Sequence, residues 1–154
     1  MKHLKFSFAL ILAAVCPPQA NALSFNFGPF FVFFDLNSAD IRPEGKEVLG
    51  FAAKEYVERG EPIGNTIFLA GYTDRSGSEH YNRALADRRT KSVRAFLVTN
   101  GVNPDRIVSL PFGEDPNRLR VATDDGAPND QNRRVEIMFE SRGRAPLKGQ
   151  LGPI

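Results

Sequence analysis

Apolar and polar residues follow two different periods along the chain, and these periods predict four strands and two helices. The strands are aromatic or β-branched runs or alternate with period two, and they cover residues 25–36, 66–72, 106–112 and 134–140. One predicted helix begins at Pro43, which is tolerated in a first turn, and runs to about Arg59. A second is capped by Ser78 and runs to about Asn100, where Gly101 is a suitable stop.

The order of these elements predicts the class of fold. Strand, helix, strand, helix, strand, polar loop (114–131) and strand follow one another along the chain. Apolar residues recur at helical spacing in the first helix, at Leu49, Ala52, Ala53 and Tyr56, and alternate in the strands. We therefore expect an α+β fold, a two-layer sandwich with the helices on one face of a mixed four-stranded sheet.

The two ends of the chain are expected to lie outside this domain. Residues 1–22 have a basic start, a short apolar stretch and the small-x-small pattern of Gln19-Ala20-Asn21-Ala22, which predicts a signal peptide. Acylation at Cys16 is disfavoured because the bulky Val15 precedes it. We expect the folded domain over residues 23–140. The Gly-, Pro- and base-rich residues 141–154 are expected to form a disordered tail.

Removal of the signal peptide changes the net charge. The full chain has 20 Lys and Arg against 18 Asp and Glu, and loss of Lys2 and Lys5 leaves 18 of each sign. A neutral protein offers no electrostatic basis for binding nucleic acid. The sequence after Leu23 contains no apolar run long enough for a transmembrane helix.

Cysteine and histidine are too scarce for several kinds of chemistry. Cys16 is the single cysteine, and His80 is the single histidine after the signal peptide. A thiolate nucleophile, a zinc site or a Ser-His pair is therefore hard to assemble. We expect no metal and no cofactor, and we expect His80 on the surface of the second helix.

Charged residues of the second helix fall on the helix face that should meet the sheet. On a helical wheel this face consists of Tyr81, Leu85, Ser92 and Phe96. Arg89 lies within the stripe, and Asn82 lies about 20° from it. Arg88 falls in the same broad sector, so the wheel alone leaves both arginines open.

A buried arginine needs a partner, and Asp74, before the helix, is the nearest candidate. One interpretation is a structural salt bridge between Asp74 and Arg89. Another is a site with an anionic and a cationic wall, suited to a zwitterion such as an amino acid. A third is a hydrolase that uses Asp74 and Glu114, but an aspartate beside an arginine should stay ionised, whereas acid/base work needs a raised pKa.

Four segments in order resemble the OmpA-like peptidoglycan-binding domain. GYTDRSGSEHYNRALADRR, residues 71–89, matches the pattern G-[HY]-T-D-x-x-G followed by Y-N-x-x-L and an arginine. FFDLNSADIRPEG resembles the family's opening strand and helix entry, LPFGEDP its turn, and NDQNRRVEI its last strand. The resemblance covers about residues 30–140. It departs at Ala86, where a polar residue is usual, and in DDGAPNDQ, which lacks a common Glu-Gly-Arg run.

The resemblance implies a ligand and the residues that bind it. In this family the aspartate after threonine takes the ammonium of diaminopimelate, and the arginine fifteen residues later takes its carboxylate. Asp74 and Arg89 have this spacing, which selects Arg89 over Arg88. The full set of implied ligand-binding residues is Asp74, Arg89, Asn82 and Arg133, with Thr73 and Asp35 beside them. Strand alternation points Arg134 away from Arg133.

The resemblance implies a non-catalytic protein of the Gram-negative cell envelope. It would bind peptidoglycan through the diaminopimelate of its peptide stem, either free in the periplasm or associated with the outer membrane. Outer-membrane or other envelope proteins are further candidate partners. The alternative function is docking on an envelope protein, with Asp74 and Arg89 in a purely structural salt bridge.

Overall fold

The computed structural model describes residues 29–58 and 66–140. The strands are β1 (Phe30–Phe33), β2 (Thr66–Tyr72), β3 (Ile107–Gly113) and β4 (Arg134–Glu140), and the helices are α1 (Pro43–Glu58) and α2 (Glu79–Thr99). Short 3-10 turns lie at Pro104–Arg106, Pro116–Arg118 and Asp130–Asn132. The predicted signal peptide and the predicted disordered tail lie outside the described residues.

The four strands form one mixed sheet in the order β1-β4-β2-β3. β2 and β3 are parallel, while β4 runs antiparallel to both of its neighbours, β1 and β2. Because β4 is last in sequence but lies between β1 and β2, the residues just before it meet the end of β2. The predicted fold class is confirmed.

The hydrophobic core lies between the sheet and both helices. The predicted core face of α1, including Leu49, Ala53 and Tyr56, is buried. Alternate residues of the strands pack against it: Val32, Ile67, Leu69, Val135 and Ile137. The period-two alternation of apolar residues therefore predicted correctly which strand residues face the core.

Two predicted strands differ from the observed ones at their ends. β1 was expected to run to Leu36 but ends at Phe33. Asn37 has a left-handed φ of 55°, so the chain turns there and cannot continue as a strand. β3 begins at Ile107 because Arg106 belongs to a 3-10 turn that Asn103 caps.

The buried face of α2 is rotated from the predicted one. Its buried residues are Asn82, Leu85, Ala86, Arg89, Thr90, Val93 and Leu97. Tyr81 is 39% exposed, so its assignment to the core face was wrong. Arg88 is exposed as well, with its guanidinium 5.7 Å from the centre of the Tyr81 ring. The structure therefore separates the two arginines that the wheel left open.

Close contact between α2 and β2 depends on Gly71. A Cβ atom at this position would lie 2.7 Å from Cγ2 of Thr90 and 2.8 Å from the carbonyl oxygen of Ala86. The second atom belongs to the helix backbone, which cannot move by a side-chain rotation. Gly71 thus lets the helix bring Asn82 and Arg89 up to the end of β2.

Replacing Gly71 with alanine should therefore destabilise the protein. Overpacking of this kind costs about 1–3 kcal/mol of unfolding free energy, and a urea titration would measure it. Gly50 offers a matched control because no atom lies within 4 Å of its Cβ position. Gly50→Ala should leave the midpoint unchanged or raise it, and equal losses at both positions would contradict the packing argument.

Candidate functional site

Asp74 lies directly beyond β2 and is surrounded by hydrogen-bond donors. Its side chain is nearly inaccessible, since the residue is 2% exposed. Oδ1 accepts from the Ser76 hydroxyl at 2.6 Å and from the Ser76 amide at 3.4 Å. Oδ2 accepts from the Asn129 amide at 3.2 Å and from Nη1 of Arg133 at 2.9 Å.

These donors keep Asp74 in its ionised form. Burial alone would raise the pKa of the carboxyl group, but the hydrogen bonds from Ser76, Arg133 and Asn129 outweigh it and hold the pKa below the usual 3.8. A general acid at neutral pH needs the opposite shift. The geometry therefore disfavours the hydrolase interpretation. The arginine that contacts Asp74 is Arg133, however, and not Arg89.

The salt bridge between Asp74 and Arg89, one of the interpretations of the sequence, is not formed. Asp74 pairs with Arg133, at 2.9 Å between Nη1 and Oδ2, and Arg89 donates its hydrogen bonds elsewhere. Arg133 is distant in sequence, but it reaches Asp74 because the start of β4 lies beside the end of β2. The docking alternative loses the structural salt bridge on which it was based.

Arg89 is completely buried and binds backbone carbonyl groups. Its Nε donates to Ser38 at 2.9 Å, Nη1 to Tyr72 at 3.0 Å and Nη2 to Asp35 at 2.9 Å. Its guanidinium carbon also lies 5.1 Å from the centre of the Phe34 ring. The side chain thus joins α2 to the end of β2 and to the loop after β1.

No carboxylate of the described residues forms an ion pair with this buried cation. Burial lowers the pKa of Arg89 to about 10, although the nearby charge of Asp74 raises it. The group therefore remains charged at neutral pH in a poorly solvated position. A guanidinium has five N–H bonds, and the three carbonyl contacts account for three of them.

Asn82, in the first turn of α2, is buried beside the same loop. Its Nδ2 donates to the carbonyl of Ser76 at 3.3 Å and to Oε2 of Glu114. Thr73 is buried too, and its amide donates to Gly113 at 2.9 Å. The Thr73 hydroxyl has no hydrogen-bond partner among the described residues.

Arg133, just before β4, and Arg134, its first residue, contact different partners. Nε of Arg133 donates to the carbonyl of Phe34 at 3.1 Å, while its Nη1 binds Asp74. Arg134 instead pairs with Glu136 at 2.7 Å and stacks over Tyr72, with 4.1 Å to the ring centre. The prediction that alternation separates Arg133 from Arg134 is confirmed.

Asp35 contributes to the site through its backbone. Its side chain is 69% exposed and forms an ion pair with Nη2 of Arg42 at 2.6 Å. Its carbonyl oxygen accepts the hydrogen bond from Arg89. The structure thus brings Asp74, Arg133, Arg89, Asn82 and Thr73 together, whereas the Asp35 carboxylate points to Arg42.

Sequence reasoning missed three groups that shape the site. Ser76 and the Asn129 amide bind Asp74, and Glu114, considered only as a catalytic acid, binds Asn82. A serine two residues after an aspartate is a recognisable turn signal and could have identified Ser76. The other two depend on long-range contacts. In the described part of the chain, no cluster of His, Cys, Asp or Glu could hold a metal ion.

The curated proteins that resemble this chain include peptidoglycan-associated lipoproteins and outer membrane proteins A. The peptidoglycan-associated lipoprotein of Pseudomonas putida is 36% identical over 105 residues, which cover 68% of this chain and 60% of that protein. Outer membrane protein A of Bordetella avium is 36% identical over 120 residues, which cover 78% and 58%. The chain thus spans about three fifths of the length of these relatives.

Solved structures and a family sequence profile agree with these similarities. The peptidoglycan-associated lipoprotein from Burkholderia pseudomallei has a TM-score of 0.63 at 25% identity, covering 71% of this chain and 89% of that one. The C-terminal domain of Helicobacter pylori MotB has the same fold, with a TM-score of 0.63 at 24% identity, covering 75% and 88%. The OmpA family profile matches residues 33–134 of the 154, and the chain therefore belongs to the OmpA family.

Proposed function

We propose that the protein binds peptidoglycan without catalysis, through the diaminopimelate of its peptide stem, and so anchors or organises the cell envelope. The chain would act in the periplasm, free or associated with the outer membrane. The names of its relatives, among them peptidoglycan-associated lipoproteins, support this class of ligand. The choice of diaminopimelate comes from the resemblance to the OmpA-like domain, and the charges of Arg89 and Asp74 fit it.

The observation that carries the proposal is the buried cation of Arg89. A buried charge is costly unless it is paired, yet the described residues supply Arg89 with neutral carbonyl groups only. A ligand carboxylate would provide the missing countercharge. A planar guanidinium can bind such a carboxylate through two parallel N–H bonds, in a bidentate contact.

Asp74 provides the negative charge that would face the ammonium of the ligand. Its ionised carboxylate lies near enough to Arg89 to raise the pKa of that guanidinium, against the effect of burial. The amino-acid centre of diaminopimelate has an ammonium and a carboxylate on one carbon atom, so it fits an acidic group beside a basic one. Lysine, which replaces diaminopimelate in some cell walls, lacks this carboxylate on its side chain.

Access to Arg89 requires a movement of the loop after β1. The residue is 0% exposed, and the carbonyls of Asp35 and Ser38 occupy two of its donors. We expect this loop, pinned by the Asp35–Arg42 ion pair, to move aside when the ligand carboxylate arrives. Binding would then exchange two neutral acceptors for one charged acceptor, which forms stronger hydrogen bonds.

Co-sedimentation with purified cell-wall sacculi tests the proposal. The protein should sediment with sacculi that contain diaminopimelate and should remain in the supernatant with sacculi that contain lysine at that position. Sacculus turbidity should stay constant, because the hydrogen bonds that hold Asp74 ionised disfavour its use as a general acid.

The possible outcomes separate the candidate functions. A fall in turbidity would favour a hydrolase, and equal sedimentation with both kinds of sacculi would remove diaminopimelate as the recognised group. Absence of sedimentation with either kind would favour the docking alternative. Arg88→Ala is a suitable control variant because Arg88 is exposed on α2 next to Arg89, and it should sediment like the wild type.

A further inference from the structure

Glu114 lies against the first turn of α2 because of the end of β3. Gly113 has a φ of 73°, and a Cβ atom there would lie 3.2 Å from the backbone N and Cα of Arg83. The Gly113 carbonyl accepts from the Thr73 amide at 2.9 Å, which joins the ends of β3 and β2. This local geometry places the Glu114 carboxylate on Nδ2 of Asn82.

The contact determines which way the Asn82 amide faces. Nδ2 carries two hydrogen atoms, and both have acceptors, the Ser76 carbonyl and Glu114. Rotation of the amide by half a turn would place Oδ1 against these two acceptors and lose both hydrogen bonds. Oδ1 therefore stays on the opposite side, where no described residue donates a hydrogen bond to it.

We infer that Glu114 is a positioning residue for the ammonium part of the ligand site, an inference that rests on the proposed function. It holds the Asn82 amide so that Oδ1 remains an acceptor for the ligand. Asn82 and Asp74 both form a hydrogen bond with Ser76, so one residue links the two. An ammonium needs acceptors, so a reversed Asn82 amide would oppose its binding.

Glu114 also completes the charge balance of the site. Asp74 and Glu114 supply two negative charges, while Arg89 and Arg133 supply two positive ones. A neutral site of this kind suits a zwitterionic ligand, whose own charges cancel. Glu114 acts on this ligand through Asn82 rather than by direct contact.

Calorimetry tests the inference by measuring the affinity for a stem peptide in which one amino-acid centre of diaminopimelate is free. Glu114→Ala should weaken binding roughly tenfold, the effect of about one hydrogen bond. Glu114→Gln keeps an acceptor for Nδ2 and should recover most of the affinity. Asp115→Ala is the matched control, since Asp115 pairs with Arg118 at 2.9 Å instead, and it should bind like the wild type.

Two comparisons distinguish positioning from a general structural role. The loss in Glu114→Ala should largely disappear in an Asn82→Ala background, because both changes remove the same contact. The loss should also disappear when the peptide is acetylated at that amino-acid centre, because the centre then has no ammonium. A loss that persists in either comparison would overturn the inference, as would an unchanged affinity in Glu114→Ala.

The Asp74→Asn variant separates this inference from the proposed function. If Asp74→Asn binds weakly while Glu114→Ala binds normally, Glu114 has no positioning role but the ligand site stands. If Asp74→Asn, Asn82→Ala and Glu114→Ala all bind like the wild type, the proposed site is wrong and the inference fails with it. Melting curves of each variant confirm that the folded protein is being compared.

Discussion

Replacement of Arg89 by alanine is expected to abolish binding of diaminopimelate peptides and to destabilise the fold. Three backbone carbonyls, those of Ser38, Tyr72 and Asp35, would lose their donor, and a cavity would remain. Each buried carbonyl left without a donor costs about 1–3 kcal/mol of unfolding free energy, and the cavity adds to this loss. Urea titration and calorimetry measure the two effects separately.

Two further variants keep this prediction testable if Arg89→Ala does not fold. Arg89→Lys preserves the charge but not the planar fork, so it should fold better and still lose most of its affinity. Arg88→Ala removes an exposed side chain and should change stability by less than about 0.5 kcal/mol. Equal losses of affinity at positions 88 and 89 would show that Arg89 does not bind the carboxylate.

Asp74→Asn is expected to lower affinity by about 1.5–3 kcal/mol, one to two decades. The change keeps the shape and one acceptor but removes the charge that faces the ammonium. N-acetylation of the ligand should weaken binding to the wild type by a similar amount. The same modification should have little further effect on Asp74→Asn, because both changes delete one contact.

Asp87→Asn is the matched control for this experiment. The Asp87 carboxylate pairs instead with Lys91 on the exposed face of α2, at 2.6 Å between Nζ and Oδ2. Its affinity should therefore stay close to that of the wild type. Additive losses in the Asp74 experiment, or a lower melting temperature of Asp74→Asn with unchanged affinity, would reduce the Asp74–Arg133 pair to a structural salt bridge.

The class of fold followed from the sequence because it depends on local patterns. The alternation of β2 and β4, the Ser78 cap and the apolar face of α1 each depend on residues a few positions apart. Periods of 2 and 3.6 residues therefore predicted the elements and most of the buried faces. The predicted end of β1 was less accurate, although asparagine adopts the left-handed conformation of Asn37 more readily than most residues and could have marked the turn.

Four residues of the candidate site were also available in the sequence, through the family motif, but the tertiary structure decided how they pair. Motif spacing identified Asp74, Asn82, Arg89 and Arg133. Their partners come from distant segments: Arg133 reaches Asp74 across 59 positions, and Arg89 reaches Asp35 across 54. The sheet order places β4 beside β2, and Gly71 brings α2 against the end of β2. These long-range contacts determine which charged side chains pair with each other, and local residue patterns do not encode them.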